Sequence, residues 1–367
     1  MYEEITVDKY LQDKDIREIA IVTTDRCEAR CAHCLMESSP DRTEQLSVKQ
    51  ITDYIDYFSA KEELQLVCFT GGESTLLGDD LLEAIAYCSE HDIPTRLVTN
   101  ATWADNEVSA QKTVSALCEV GLTEINISTD DFHAVWIPLE NVKTAWGACK
   151  GKGFKTVLIA TCSGPRSKVT PTSVRDFIGE PEVKIYKDIE LRGDLPSASD
   201  GTFYGISDNN ITSLGRATHL RKDYFRKVNS TTVGGEVYGA CPAQYRPLTI
   251  TADGSIGICC GVNCEYSKIL SLGPLRDNDG NPKIIGRFQQ LMIDAISILG
   301  PAALYSLASE GSSAVEAFSP QTCCEVCSRL LTSKKLMTKL EEKADIIEER
   351  VKLARTPFLV RDRHDIF

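Results

Sequence analysis

The chain has no apolar run approaching the roughly 20 residues that span a bilayer, which removes a transmembrane helix from the reading. Its first residues, MYEEITVDKY, are charged and acidic, so they form neither the basic n-region nor the apolar h-region of a secretory signal. Basic side chains are in deficit, with 40 Lys+Arg against 53 Asp+Glu and a formal charge of −13. A nonspecific phosphate-backbone binder needs a basic footprint, so neither nucleic acid nor membrane is expected as a partner. No Gly-x-Gly-x-x-Gly follows the first strand-like run, and a dinucleotide fold therefore has no support. Internal repeats and low-complexity tracts are also missing. What is present is an ordinary globular composition, 42% hydrophobic and 25% charged over 367 residues, long enough for two domains and cytoplasmic by default.

Against these absences stand fifteen cysteines. Without a signal peptide they are poor candidates for a disulfide framework, and clustered thiols in a reducing compartment more often hold metal. Cys27, Cys31 and Cys34 form one group, Cys241, Cys259, Cys260 and Cys264 a second, and Cys323, Cys324 and Cys327 a third. Cys68, Cys88, Cys118, Cys149 and Cys162 are scattered through apolar or helical surroundings and read as small buried hydrophobes.

Strand-like runs at 17–24, 64–70, 95–100, 124–129, 155–161 and 183–191 alternate with helix-like stretches at 47–61, 79–91, 105–119, 140–151 and 172–179. Repeated strand–helix–strand units imply right-handed crossovers and a parallel sheet, here a partial (β/α)6 barrel of the TIM type. From about 195 to 235 the chain turns polar and reads as an active-site loop or linker. A short strand-and-turn region follows, with "ADGS" at 252–255 as a hairpin signal, and then a helical tail. The expected organisation is an N-terminal extension over 1–16, the barrel over 17–215, a linker over 216–235, a small α+β domain over 236–330 and a helical tail over 331–367.

"CEARCAHC", residues 27–34, occupies the loop after the first strand, on the face where parallel α/β barrels build their active sites. Three soft thiolates at spacings x3 and x2 can hold three corners of a cuboidal iron–sulfur cluster and leave the fourth iron open. The competing reading is a zinc knuckle completed by His33, although the next paired cysteines lie roughly two hundred residues away.

C-x3-C-x2-C after the first strand of an α/β barrel resembles the signature of the radical S-adenosylmethionine (radical SAM) enzymes. The resemblance implies a 4Fe–4S cluster on Cys27, Cys31 and Cys34, S-adenosylmethionine on its open iron, and hydrogen abstraction by a 5′-deoxyadenosyl radical. Gly71-Gly72-Glu73 after the second strand matches the family's GGE motif, which contacts the cofactor's amino group. "TNA" at 99–101 closes the third strand as the family often does. Ser128 and Asp130 match positions that contact the cofactor's carboxylate or ribose, and His33 takes the place of the aromatic residue that backs the adenine. A flavodoxin- or ferredoxin-type electron donor is implied as well.

The later cysteines extend the resemblance. Cys241, Gly254 and Cys259 fit the opening of the SPASM and twitch domains, which hold auxiliary 4Fe–4S clusters. Cys324-x2-Cys327 supplies a further pair and no cysteine follows it, which points to the shorter twitch form with one cluster on Cys241, Cys259, Cys324 and Cys327. Cys260, Cys264 and Cys323 are surplus: Cys323 can replace Cys324, and Cys260 or Cys264 can supply the fourth corner if one of the pair is misassigned. Two separated pairs are also an ordinary zinc layout.

For the reaction itself, His133 follows the fourth strand as a candidate acid or base, or a loop histidine packed on Trp136. Cys162 closes the fifth strand as a candidate hydrogen-atom donor, or a buried structural thiol. Arg192 closes the sixth as a candidate partner for a cofactor or substrate carboxylate. "SLGRATHL" at 213–220 resembles a loop of SPASM-type enzymes and receives no role. The resemblance favours modification of a ribosomally made peptide by cross-linking, oxidation or epimerisation. The alternative is twitch-type oxidation of a small molecule such as an aminoglycoside alcohol, kept open because the 26 residues ahead of Cys27 leave no room for a leader-binding winged-helix module. A non-enzymatic zinc-binding interaction protein is the third reading.

Overall fold

The computed structural model describes residues 2–187, 196–226, 237, 239–241, 247–259, 267–277, 279–309, 320 and 322–361, with 357–361 by backbone alone. They divide into two compact units. One comprises Asp15–Arg226 with Thr249–Gly254; the other comprises Met1–Lys14, Lys227–Leu248 and Ser255–Phe367.

The first unit is a partial α/β barrel. Its strands are β1 (Glu18–Thr24), β2 (Leu66–Gly71), β3 (Thr95–Thr99), β4 (Glu124–Ser128), β5 (Thr156–Ser163), β6 (Lys184–Lys187) and β7 (Phe203–Asn210). They run parallel in the order β1-β2-β3-β4-β5-β7-β6. The crossovers are helices α1 (Val48–Ser59), α2 (Asp79–Glu90), α3 (Glu107–Glu119), α4 (Leu139–Cys149) and α5 (Pro171–Ile178). Several helix ends rest on chemistry visible in the sequence. Ser47 caps α1 in a reciprocal capping box with Gln50, and Gly179 ends α5 at φ 79°.

Register explains the core. Ile21, Phe69, Leu97, Ile125 and Val157 stand side by side across β1–β5, and all five are fully buried. Because side chains alternate along a strand, this one row commits every second residue of five strands to the same apolar layer. The helices cover it with Phe58, Ile85, Val114, Trp146 and Val174.

Two expectations change here. The polar stretch expected as loop or linker contains β7, which inserts between β5 and β6. Its outer residues are polar, but Phe203, Gly205, Ile206 and Ser207 are buried, and Ile206 pairs with Ile159. The run at 183–191 is therefore an edge strand over Lys184–Lys187, two places away from β5 in the sheet rather than beside it. In addition, Ile5–Thr6 pairs antiparallel with Ile284–Ile285, so the N-terminal residues are part of the second unit.

That second unit is built from α6 (Arg287–Ile298), α7 (Pro301–Ser309), α8 (Cys323–Thr332), α9 (Lys334–Glu342) and α10 (Ala344–Arg361). Among the described residues no single helix is long and apolar enough to cross a membrane.

Phe69→Ala tests the shared apolar row. Deleting a fully buried ring within it is expected to cost about 3–5 kcal/mol, read as a lowered urea midpoint for loss of the barrel's signal.

Candidate radical SAM site

The cysteine loop leaves β1 through an irregular register. The ladder shifts between Val22 and Thr24, which sets Thr24 opposite Gly71. From there the turn after β2 continues to bond the loop's backbone: Gly72 N–H donates to Thr24 O at 2.7 Å and Glu73 N–H to Arg26 O at 2.9 Å. The two glycines are required by this contact. A Cβ on Gly71, whose φ is 137°, would lie 2.4 Å from Thr24 O, and one on Gly72 would lie 1.9 Å from Arg26 O. The loop is closed on its far side by Cys27 N–H donating to Ser39 O at 3.2 Å.

Held this way, Cys27, Cys31 and Cys34 line one cleft of about 200 Å³ together with Gly71, Gly72, Ser128, His33 and His133. Cys27 and Cys31 are buried and Cys34 is half-buried. Burial raises the Cys27 thiol to about 11, and burial reinforced by Asp130 and the neighbouring sulfurs raises Cys31 further. Both are thiols at neutral pH, so binding a metal there displaces protons.

Glu73 and Asp130 do not line this cleft; both lie beneath it. Glu73 is 1% exposed, and its Oε1 accepts from Thr75 Oγ1 at 2.6 Å and Thr99 Oγ1 at 2.8 Å while Oε2 accepts from Asn100 N–H at 2.7 Å. Burial raises its pKa against the lowering effect of those donors. The GGE carboxylate thus ties β2 to the end of β3. Asp130 Oδ1 accepts from Phe132 N–H at 2.8 Å and His133 N–H at 3.0 Å. Its two oxygens also lie 2.9 Å from His33 Nε2 and 3.0 Å from His133 Nδ1. Burial alone would raise this carboxyl; the two imidazoles outweigh it and hold it well below the usual carboxylate range.

His33 stacks on Phe132 with ring centroids 4.7 Å apart and meets His133 edge-on at 5.0 Å. His133 faces Asp130 and His33, while Trp136 is 47% exposed. Cys162 is half-buried, packs against the apolar cluster that contains Cys27, Ala29, Cys31 and Phe132, and does not line the cleft. Burial raises its thiol to about 12. Arg192 lies outside the described residues.

Two residues without a role in the sequence reading belong to this site. Asn100, the middle of "TNA", is 5% exposed and directs its Nδ2 at Cys27 Sγ, 3.5 Å away. Arg216 lines the cleft, and its guanidinium donates to Cys31 O at 2.9 Å and Ser38 O at 2.8 Å.

In the second unit, Cys241, Cys324 and Cys259 are the neighbours that, with burial, set the Cys323 thiol, which is raised to about 11. Cys323, read as surplus, therefore stands among the cysteines expected to hold an auxiliary group. Cys324 is half-buried and Cys327 buried; Cys260 and Cys264 lie outside the described residues. The scattered thiols behave as small hydrophobes: burial raises Cys68 to about 11 and Cys88 and Cys149 to about 12.

A parallel partial barrel with a thiol-lined cleft at the C-terminal ends of its first strands defines a sulfur-rich cofactor site on an α/β scaffold. Residues 21–163 match the Radical SAM superfamily model, and the chain carries a radical SAM domain over that stretch. Over 127 residues it is 25% identical to the putative peptide biosynthesis protein YydG of Bacillus subtilis, a match spanning 35% of this chain and 40% of that protein. Over 119 residues it is 33% identical to a GTP 3′,8-cyclase of Listeria monocytogenes, spanning 32% of this chain and 34% of the cyclase. The matched part is thus well under half of either relative. Among solved structures, Streptococcus suis SuiB bound to its precursor peptide SuiA superposes with a TM-score of 0.36 and 16% identity, covering 68% of this chain and 62% of SuiB. The anSMEcpe structure with bound AdoMet and a peptide gives 0.41 and 11%, covering 90% and 99%.

A radical SAM domain implies a 4Fe–4S cluster and S-adenosylmethionine, and the residues present fit both. Three soft sulfurs of one loop face one cleft, and Ala29 N–H and Asn100 Nδ2 already approach Cys27 Sγ. The buried Nδ1 of His33 has no hydrogen-bond partner among the described residues, which suits a polar molecule in the cleft.

Gly72→Ala tests the contact that shapes the loop. With 1.9 Å between the new Cβ and Arg26 O, the variant is expected to lose about 2–4 kcal/mol in urea unfolding. Gly147→Ala, on the exposed face of α4 with open space around it, is the control and is expected to gain about 0.5–1 kcal/mol.

Proposed function

We propose that the protein is a radical SAM enzyme that modifies a peptide, with Cys27, Cys31 and Cys34 holding the catalytic 4Fe–4S cluster. The observation that carries this reading is the convergence of those three thiols on one cleft inside the matched domain. When bound and reduced, the cluster supplies the electron that cleaves S-adenosylmethionine to a 5′-deoxyadenosyl radical.

The chain's own residues then divide the work. Gly71 and Gly72 bring backbone to the cleft wall and Ser128 offers a hydroxyl there, positions suited to the polar end of S-adenosylmethionine. Asp130 acts through the two imidazoles it touches, holding His33 and His133 in place. His133 reaches the cleft as the group able to hold or move a proton near substrate. Glu73 acts from below, through β3. Cys162 keeps its hydrogen because burial holds it as a thiol, and it serves an epimerisation if substrate reaches it.

Cys241, Cys259, Cys324 and Cys327 are proposed to hold one auxiliary cluster, with Cys323 placed to substitute for one of them. Such a cluster suits an oxidation, by accepting the second electron. The similarity to YydG, described as a peptide biosynthesis protein, supports a peptide substrate. The GTP 3′,8-cyclases among the relatives favour a second reading, a small-molecule substrate.

Anaerobic reconstitution is expected to give about eight irons per chain and absorbance near ~400 nm. About four irons would remove the auxiliary cluster, and zinc without visible absorbance would support the metal-binding scaffold instead. The triple variant Cys27→Ala, Cys31→Ala, Cys34→Ala is expected to form no 5′-deoxyadenosine with dithionite; retained cleavage would overturn the assignment. Mass spectrometry of candidate precursor peptides then separates outcomes. Loss of two hydrogen masses marks oxidation or cross-linking, and unchanged mass with one solvent deuterium marks epimerisation.

A further inference from the structure

The segment Leu214–Ala217 meets the cysteine loop at the loop's carbonyl oxygens. Arg216 N–H donates to Cys34 O at 3.1 Å, while its guanidinium donates through Nε to Cys31 O at 2.9 Å and through Nη2 to Ser38 O at 2.8 Å. One residue thus bonds three carbonyls of the loop, from Cys31 to Ser38. Gly215, at φ 51°, makes the approach possible: a Cβ there would lie 2.5 Å from Leu35 O and 2.6 Å from Cys34 O. Arg216 also lines the same cleft as Cys27, Cys31 and Cys34.

We propose that Arg216 is a positioning residue that clamps the cysteine loop in the shape that brings its three thiols onto the cleft, and sets a fixed cation beside them. The fork geometry matters as much as the charge. A planar guanidinium can donate from two nitrogens to two carbonyls at once, whereas an ammonium is a point donor on a flexible stem. The clamp stands on the loop geometry alone; its redox consequence rests on the proposed cluster at Cys27, Cys31 and Cys34. A cation near a cluster favours the reduced, more negative form, so removing it makes the midpoint potential more negative.

Hydrogen–deuterium exchange of the full chain as purified, on Arg216→Gln and Arg216→Lys, tests the clamp without any cofactor. Peptides covering 27–39, which contain the bonded Cys27 and Cys34 amides, are expected to exchange about tenfold faster in Arg216→Gln, the effect of losing one net charge-assisted hydrogen bond. Peptides covering β2 and β3 are expected to match the wild type, which separates loosening of the loop from misfolding. Arg216→Lys is expected to loosen the loop nearly as much. Exchange over 27–39 equal to wild type in Arg216→Gln overturns the proposal. Gly215→Ala, which pushes the segment away while keeping the arginine, is expected to reproduce the loosening.

On reconstituted protein, redox titration is expected to give a more negative midpoint for Arg216→Gln and a nearly unchanged one for Arg216→Lys. Equal potentials in all three proteins overturn the electrostatic half. If the triple cysteine variant binds as much iron as wild type, the proposed function fails, while the exchange result still decides the clamp.

Discussion

The site depends on a backbone-to-backbone contact that has no room for a side chain. Gly71 and Gly72 lie so close to Thr24 and Arg26 that the sheet's bonding continues past the end of β1 and into the cysteine loop. Without that contact the loop after β1 would be a surface excursion of more than twenty residues, the kind of segment that ordinarily samples many shapes. With it, the position of Cys27 is inherited from the strand, and β1 is itself fixed by the apolar row that runs from Ile21 to Val157. The rigidity of a barrel core is thereby transmitted to a loop that has little core of its own.

Beneath the cleft, two buried carboxylates do different work because their partners differ. Glu73 meets hydroxyls and an amide N–H, neutral donors that fix its geometry. The result is a brace from β2 through Asn100 to the sulfur of Cys27. Asp130 meets two imidazoles instead, so its charge is retained despite burial, and the orientations of His33 and His133 are coupled through a single group. One carboxylate therefore braces the sulfur wall of the cleft, and the other orients the imidazole wall.

Much of this was legible in the sequence. Five strands and five helices fall within a few residues of where periodicity and caps place them, because their apolar positions repeat at intervals that allow one reading. The thiols of the first cleft were also legible, since their spacing carries the chemistry. β7 was not. "FYGISDNN" lacks the continuous apolar run of a buried strand, and its C-terminal half is polar, with Asp208 pairing with Ser163 and Arg226. Missing β7 also misplaced the strand before it. The downward turn of Glu73 was hidden for another reason: a carboxylate after two glycines suits an ammonium equally well in the abstract, and the choice is made by Thr75, Thr99 and Asn100. Arg216 was hidden because what it recognises is carbonyl oxygen, which every residue presents.

That last point bears on how such a site tolerates change. Thr24, Arg26, Cys31, Cys34 and Ser38 accept these contacts through their carbonyl oxygens, which every residue presents, although the Thr24 hydroxyl also accepts from Arg26 N–H and donates to Glu44 O. The side-chain requirements fall on the other partners, on glycines that must be small and on an arginine whose fork must span two carbonyls. Chemistry and shape are consequently encoded in different places: the cysteines carry the first, and residues as far apart as Gly72 and Arg216 carry the second. A loop specified this way can vary between its cysteines while its sulfurs stay in register, provided the strands that present those distant residues keep theirs.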